Sequence, residues 1–186
     1  AGGAVWLDAQ RTSPYQFRQF WMQMPDDDAV RYVPQFSLQS LDELKSVIDE
    51  HNAAPERRIV QRLLATEITT MVHGADAARD AEAAADILFG ADPTQASFEA
   101  LNAVAAEVPT TVVGHDQLDD VFGLLASAGV VASTSDARRT IAQKGIKVNG
   151  AVLEEGQTLA AHGVLHDKWV LVRKGKTTYH LFEIAR

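Results

Sequence analysis

Apolar residues recur at three- and four-residue intervals through most of the first 108 positions and alternate with polar ones in much of the remainder. Thr12-Ser13-Pro14 reads as a helix start, because Thr or Ser can accept from a free backbone N–H and Pro suits the first turn. Tyr15, Phe17, Phe20, Trp21 and Met24 then form one apolar face. Asp26-Asp27-Asp28 interrupt it and offer caps for a short helix through Val30, Tyr32 and Val33, limited by Pro34. Ser40-Leu41-Asp42-Glu43 forms a capping box ahead of Leu44, Val47 and Ile48. Pro55 opens the longest predicted helix, whose stripe of Ile59, Val60, Leu63, Leu64, Ile68, Met71 and Val72 stops at Gly74. Two Ala-rich helices follow, about 76–89 with Gly90 after it and about 94–106. The pattern predicts a helical bundle whose Met and aromatic stripes are core.

The short, uncharged stretch Pro109-Thr110-Thr111-Val112-Val113-Gly114 is expected to be a linker, placed at 109–116. Beyond it Leu118, Val121, Phe122 and Leu125 predict a helix ending near Gly129. Ser133-Thr134-Ser135-Asp136 supplies N-cap candidates for a second helix from Ala137 to Lys144, ending at Gly145, with Ala137 and Ile141 facing inward. Ile146-Lys147-Val148 alternates like a strand, and Asn149-Gly150 is a two-residue hairpin signal before Ala151-Val152-Leu153. Trp169 to Arg173 and Thr177 to Phe182 predict a second strand pair about Lys174-Gly175-Lys176. The expected class is therefore α+β, a mostly helical bundle over 1–108 followed by a small α+β domain over 117–186.

Composition narrows the chemistry. A chain of 186 residues that is 46% apolar and 23% charged has enough material for a packed core. With no Cys, disulfides, thiolate zinc sites and cysteine nucleophiles are excluded. No apolar run approaches a membrane span, and a cytoplasmic location is expected. The net charge of −8 averages unlike halves. Residues 1–116 carry 8 Lys+Arg against 18 Asp+Glu, and residues 117–186 carry 9 against 7, so only the second region can neutralise many phosphates.

Ser135-Asp136-Ala137-Arg138-Arg139-Thr140-Ile141, then Gly145-Ile146-Lys147-Val148-Asn149-Gly150, resembles the core of the S4 RNA-binding domain, whose usual form runs Ser-x-Ala-Arg-Arg-x-Ile to Gly-Val-x-Val-Asn-Gly. A helix N-terminus with an Arg pair can meet RNA phosphates, and the tight hairpin places Lys147 and Asn149 alongside. In the first region, Gly2-Gly3-Ala4-Val5-Trp6-Leu7-Asp8 and Thr12-Ser13-Pro14-Tyr15-x-Phe17-x-Gln19-Phe20-Trp21 resemble the segment of bacterial tyrosyl-tRNA synthetases that follows their Lys-Met-Ser-Lys-Ser-type loop. Pro55-Glu56-Arg57-Arg58, Gln61, Leu64 to Thr69 and Val72-His73-Gly74 are similar to their anticodon-binding helical region. Arg18 stands where that family usually has an aromatic residue, and Phe36-Ser37-Leu38 differs slightly from its Phe-Thr-Phe-Leu.

The resemblance implies a tRNA-binding, C-terminal part of a class I enzyme whose Rossmann catalytic domain is absent from this chain. It implies no catalytic residue, metal or cofactor here, and no ligase activity for the chain alone. The parent is expected to use ATP with magnesium, to attach tyrosine to tyrosine tRNA through tyrosyl-adenylate, and to dimerise through the missing domain, leaving this chain monomeric. Expected RNA contacts are Arg138, Arg139, Lys144, Lys147, Asn149, Lys174 and Lys176, with Arg11, Arg18, Arg57 and Arg62 as candidate contacts in the helical region. Two alternatives compete: an S4 accessory protein of ribosomal RNA, and a helical protein-interaction module with an incidental basic tail.

Other motifs are weaker. Gly175-Lys176-Thr177 lacks the first P-loop glycine and precedes a strand. His162 and His166 have metal-ligand spacing without a third ligand, and Asp26 to Asp28 lack the alternation of a calcium loop.

Overall fold

A computed structural model describes residues 4–185, so Gly2 and Gly3 of the N-terminal motif lie outside the described residues. The chain divides into two compact units, Ala1–Glu82 and Ala83–Arg186.

The first unit is built on α1 (Pro14–Met22), α2 (Asp26–Phe36), α3 (Leu41–Ala53) and α4 (Ile59–His73). The sequence signals hold at two starts: Ser13 accepts from the Gln16 N–H, and the Ser40/Glu43 capping box is complete. Two boundaries differ. Asp26 to Asp28 occupy the first turn of α2 after Pro25 and make no side-chain cap, while Pro34 lies inside the last turn, where only one intrahelical bond is lost. Pro55–Arg57 forms a separate 3-10 turn, and Arg58, in the left-handed region at φ 51°, breaks it from α4. Arg58 then ties the end of α1 down, its Nε and Nη2 donating to the Met22 and Met24 carbonyls at 3.1 and 2.8 Å. Helix α4 packs on α1, α2 and α3, and its Val60, Leu64, Ala65 and Ile68 join Phe17, Trp21, Val33 and Leu44 in one core.

Helix α5 (Ala75–Leu88) follows Gly74, and the unit boundary falls within it. The second unit continues with α6 (Phe98–Glu107), capped by Ser97, and then a five-stranded sheet. Its strands are β1 (Thr110–Val113), β2 (Ile146–Val148), β3 (Ala151–Val152), β4 (Trp169–Lys174) and β5 (Thr178–Ile184), in the order β1-β5-β4-β2-β3. The stretch expected to be a linker thus holds a strand: β1 pairs in parallel with β5, Thr110 opposite Leu181 and Val113 opposite Ile184. The other pairings are antiparallel.

Helices α7 (Val121–Ser127) and α8 (Thr134–Ala142) lie against one face of this sheet. Val121, Leu125, Ala137 and Ile141 bury themselves there on Ile146, Val148, Val170, Val172 and Phe182. The single helix expected up to Gly129 is split, with a 3-10 turn at His115–Asp119 ahead of α7. The end of α5 and the chain before α6 meet the second unit's strands and loops: the Tyr179 hydroxyl donates to the Ile87 carbonyl at 3.0 Å, and His166 Nε2 donates to the Ala96 carbonyl at 2.8 Å. Burial holds the His180 imidazole below its ordinary pKa, and its Nε2 lies 2.9 Å from the Thr111 hydroxyl.

Candidate nucleic-acid interface

Local chemistry fixes the helix that carries the Arg pair. Asp120 accepts from the Gly123 N–H at 3.0 Å and so caps α7; a Cβ at position 123 would lie 2.1 Å from the same carboxylate, which is why glycine stands there. Ser133 caps α8 by accepting from the Asp136 N–H at 3.1 Å, and Asp136 accepts in return from the Ala132 N–H at 3.2 Å. With Ala137 and Ile141 buried, Arg138 and Arg139 are left outside. At the far end Lys144 takes the left-handed conformation, φ 55°, expected of Gly145. Glycine at 145 serves close approach instead, since a Cβ would come within 2.8 Å of the Thr140 methyl and 3.1 Å of its carbonyl oxygen.

Asp136 is the electrostatic centre of this face. Its carboxylate meets Arg139 Nη2 at 2.5 Å and Lys174 Nζ at 3.7 Å. The Ala132 N–H bond, then the Arg139 bond, then the charges of Lys174 and Arg139 hold its pKa below the usual carboxylate range. Arg138 lies over Phe122, its Cζ 4.9 Å from the ring centroid. Arg138, Arg139 and Lys174 therefore share the helix-covered side of the sheet.

The remaining expected contacts separate. Lys144 is exposed and 3.5 Å from Glu154. Lys176 is exposed in the β4–β5 turn. Lys147 is exposed on the opposite sheet face, paired across strands with Arg173, a cation the sequence reading missed. Alternation along β4 carries that signal only once its register with β2 is known.

Asn149 faces inward. Asn149 and Gly150, at φ 47° and 87°, form the predicted turn, but the Asn149 side chain is only 4% exposed. Its Nδ2 donates to the His162 and Gly163 carbonyls at 3.2 and 2.9 Å, and its Oδ1 accepts from the Leu171 N–H at 2.9 Å. The amide is occupied in holding the hairpin to β4.

In the first unit the four candidate arginines have different roles. Arg18 is 5% exposed and pairs with Glu82 at 2.9 Å, so it is an internal ion pair rather than a surface contact. The Arg11 guanidinium stacks 3.4 Å from the centroid of Trp6, Arg57 pairs with Glu50 at 2.8 Å, and Arg62 is exposed on α4.

Comparisons with known proteins follow the same two parts of the chain. A family model described as tRNA synthetases class I (W and Y) matches residues 1–90, and one described as Tyrosine--tRNA ligase SYY-like C-terminal domain matches residues 100–182. Together they define the class, a class I aminoacyl-tRNA synthetase. The tyrosine–tRNA ligase of Anaeromyxobacter dehalogenans (strain 2CP-C) is 41% identical over 187 residues, covering 98% of this chain and 44% of its own length. That of Streptococcus gordonii is 37% identical over 179 residues, covering 96% and 43%. A crystal structure of a C-terminally truncated Aspergillus nidulans mitochondrial tyrosyl-tRNA synthetase aligns over 46% of this chain and 25% of its own, at 35% identity and a TM-score of 0.45. The chain belongs to the tyrosyl-tRNA synthetase family and corresponds to its C-terminal portion. It spans less than half the length of the curated relatives it matches.

Proposed function

We propose that this chain is the tRNA-gripping part of a tyrosyl-tRNA synthetase, holding tyrosine tRNA chiefly by shape and backbone. The observation that carries the proposal is the match to tyrosine–tRNA ligases along 98% of the chain. The exposed Arg138 and Arg139 beside Lys174 support it, since RNA helices offer phosphates and 2′-hydroxyls more readily than base edges. In this reading residues 117–186 grip the stem and long variable arm, while the helical residues 1–108 approach the anticodon with Arg11, Arg57 and Arg62. The parent enzyme joins tyrosine to ATP, with magnesium, displacing pyrophosphate to give tyrosyl-adenylate, and a 3′-terminal ribose hydroxyl of the tRNA then displaces AMP. It works in the cytoplasm as a homodimer assembled through a catalytic domain outside this chain, and the chain alone is a monomer, checked by light scattering. Among the described residues no helix is long and apolar enough to cross a membrane.

The test is equilibrium binding of the chain to a tyrosine tRNA, a leucine or serine tRNA and a tRNA with a short variable arm, at several salt concentrations. Preference for the tyrosine tRNA is expected, with a log–log salt slope of roughly −3 if three or four phosphates are neutralised. Arg138→Glu with Arg139→Glu is expected to abolish most of the affinity at unchanged Tm. Unchanged affinity would return the chain to the protein-interaction class, and a preference for ribosomal RNA to the accessory class.

A further inference from the structure

A half-open cleft of about 620 Å³ lies between α7, α8 and the loop 154–158, beside the Asp136 cluster. Small-molecule sites occupy roughly 300–1,000 Å³, so this one has room for a base and its ribose. Val121, Phe122 and Ile141 supply apolar lining, and the Arg138 guanidinium, over the Phe122 ring, lines the cleft beside them. Asp119, Asp120, Glu154 and Glu155 complete the lining with negative charge. Asp120 is committed to the α7 cap and Glu154 to Lys144. Asp119 and Glu155 are exposed, and neither forms a hydrogen bond or ion pair with the described residues.

Four carboxylates outnumber the two guanidiniums of the lining, Arg138 and Arg139, and disfavour a phosphate, while the apolar residues suit a planar neutral ring. A guanidinium beside an aromatic ring can offer its planar face for stacking. Carboxylates accept from exocyclic amino groups, as they do from cytosine N4. Arg139, which also lines the cleft, and Lys174 are held together at the Asp136 carboxylate, where they can take the flanking phosphates. We propose that the cleft receives one unstacked, amino-bearing nucleobase of the bound RNA, stacked on Arg138 with its amino group donating to Asp119 or Glu155. The inference rests on the tRNA-binding reading and adds a base-specific subsite to a surface otherwise blind to sequence.

The experiment measures affinity of the chain for tyrosine tRNA transcripts in which each unpaired nucleotide is made abasic in turn, and then replaced by uridine. One position is expected to lose about tenfold in affinity when abasic, the scale of a single stacked base, and uridine there should recover only part of it. Arg138→Lys keeps the charge and removes the flat stacking surface. It should lower affinity for intact tRNA by a similar factor, erase the abasic effect and leave the salt slope unchanged. Asp119→Asn with Glu155→Gln should leave stacking but remove the penalty for uridine. Salt-dependent binding with no sensitive position overturns the subsite and leaves the tRNA reading standing. No binding to any tRNA overturns both. An arginine-rich peptide that shifts the Ile141 methyl resonance and displaces no RNA overturns the subsite in favour of a peptide groove.

Discussion

Replacing Asn149 with Ala separates a turn-holding role from an RNA-contacting one. The substitution strands the buried Leu171 N–H, which has only the Asn149 Oδ1 as a side-chain acceptor, and takes a donor from the His162 and Gly163 carbonyls. One buried unpaired group costs about 1–3 kcal/mol. The Gly163 carbonyl belongs to an exposed residue and can rehydrate, so the carbonyl losses add less. Holding Ala at φ 47° costs about 1–2 kcal/mol more than it costs Asn or Gly. A total of about 4 kcal/mol follows, which for a unit of this size lowers Tm by about 15–25 °C. Thermal and urea unfolding by circular dichroism measures it. Asn149→Gly restores the backbone freedom and should recover about 1 kcal/mol while leaving the hydrogen-bond loss. Affinity for tRNA, measured where each variant is still folded, should change less than twofold. A Tm within 3 °C of the parent together with a roughly tenfold loss of affinity would refute the assignment and return Asn149 to the RNA surface.

His180 stays neutral in the fold because burial lowers its pKa, while the unfolded histidine takes a proton as pH falls below about 6.5. The unfolded state then binds more protons, so stability falls as pH drops below that value and levels off above it. His73 and His162 shift in the same direction and add to the slope. Urea midpoints at pH 5 and 7.5 should differ, and His180→Gln should reduce the difference; equal midpoints in the parent would contradict the burial argument. In the first unit, Glu82→Ala leaves the Arg18 guanidinium buried without its partner, whereas Arg18→Met removes the charge and keeps most of the volume. Glu82→Ala should be the more destabilising by about 2 kcal/mol, and the reverse order in urea unfolding would refute the ion-pair reading. Asp136→Ala removes the acceptor of the Ala132 N–H but frees Arg139 and Lys174. Stability should fall while tRNA affinity at low salt rises; a fall in both would mean the carboxylate is needed to position the two cations.

Local signals in the sequence were sufficient at several helix starts and at the hairpin turn. Ser13, Ser40 and Ser133 cap the helices they precede, and Asn149-Gly150 turns the hairpin. The breaks at Arg58 and ahead of α7 carried no clear local signal, and the other failures are positions whose partner lies far along the chain. Thr110 to Val113 carry β-branched residues but no alternation strong enough to mark a strand, and their partners begin at Leu181. Arg18 on an otherwise apolar stripe finds Glu82 only through the fold. Asn149 was legible as a turn residue, yet nothing local says that its amide points inward. The Arg pair and the lysines were found by spacing, while their division between two faces of the sheet depends on register.

The strand order β1-β5-β4-β2-β3 places the last strand in sequence between the first and the fourth. During synthesis the helices of the first unit can close as they appear, because their contacts are short-range. The sheet cannot. Until residues 178–184 have emerged, β1 has no partner and the inner edge of β4 stands open. The nascent chain therefore carries two unpaired edges until β5 emerges, and that is the interval in which it is most exposed to pairing with a neighbour.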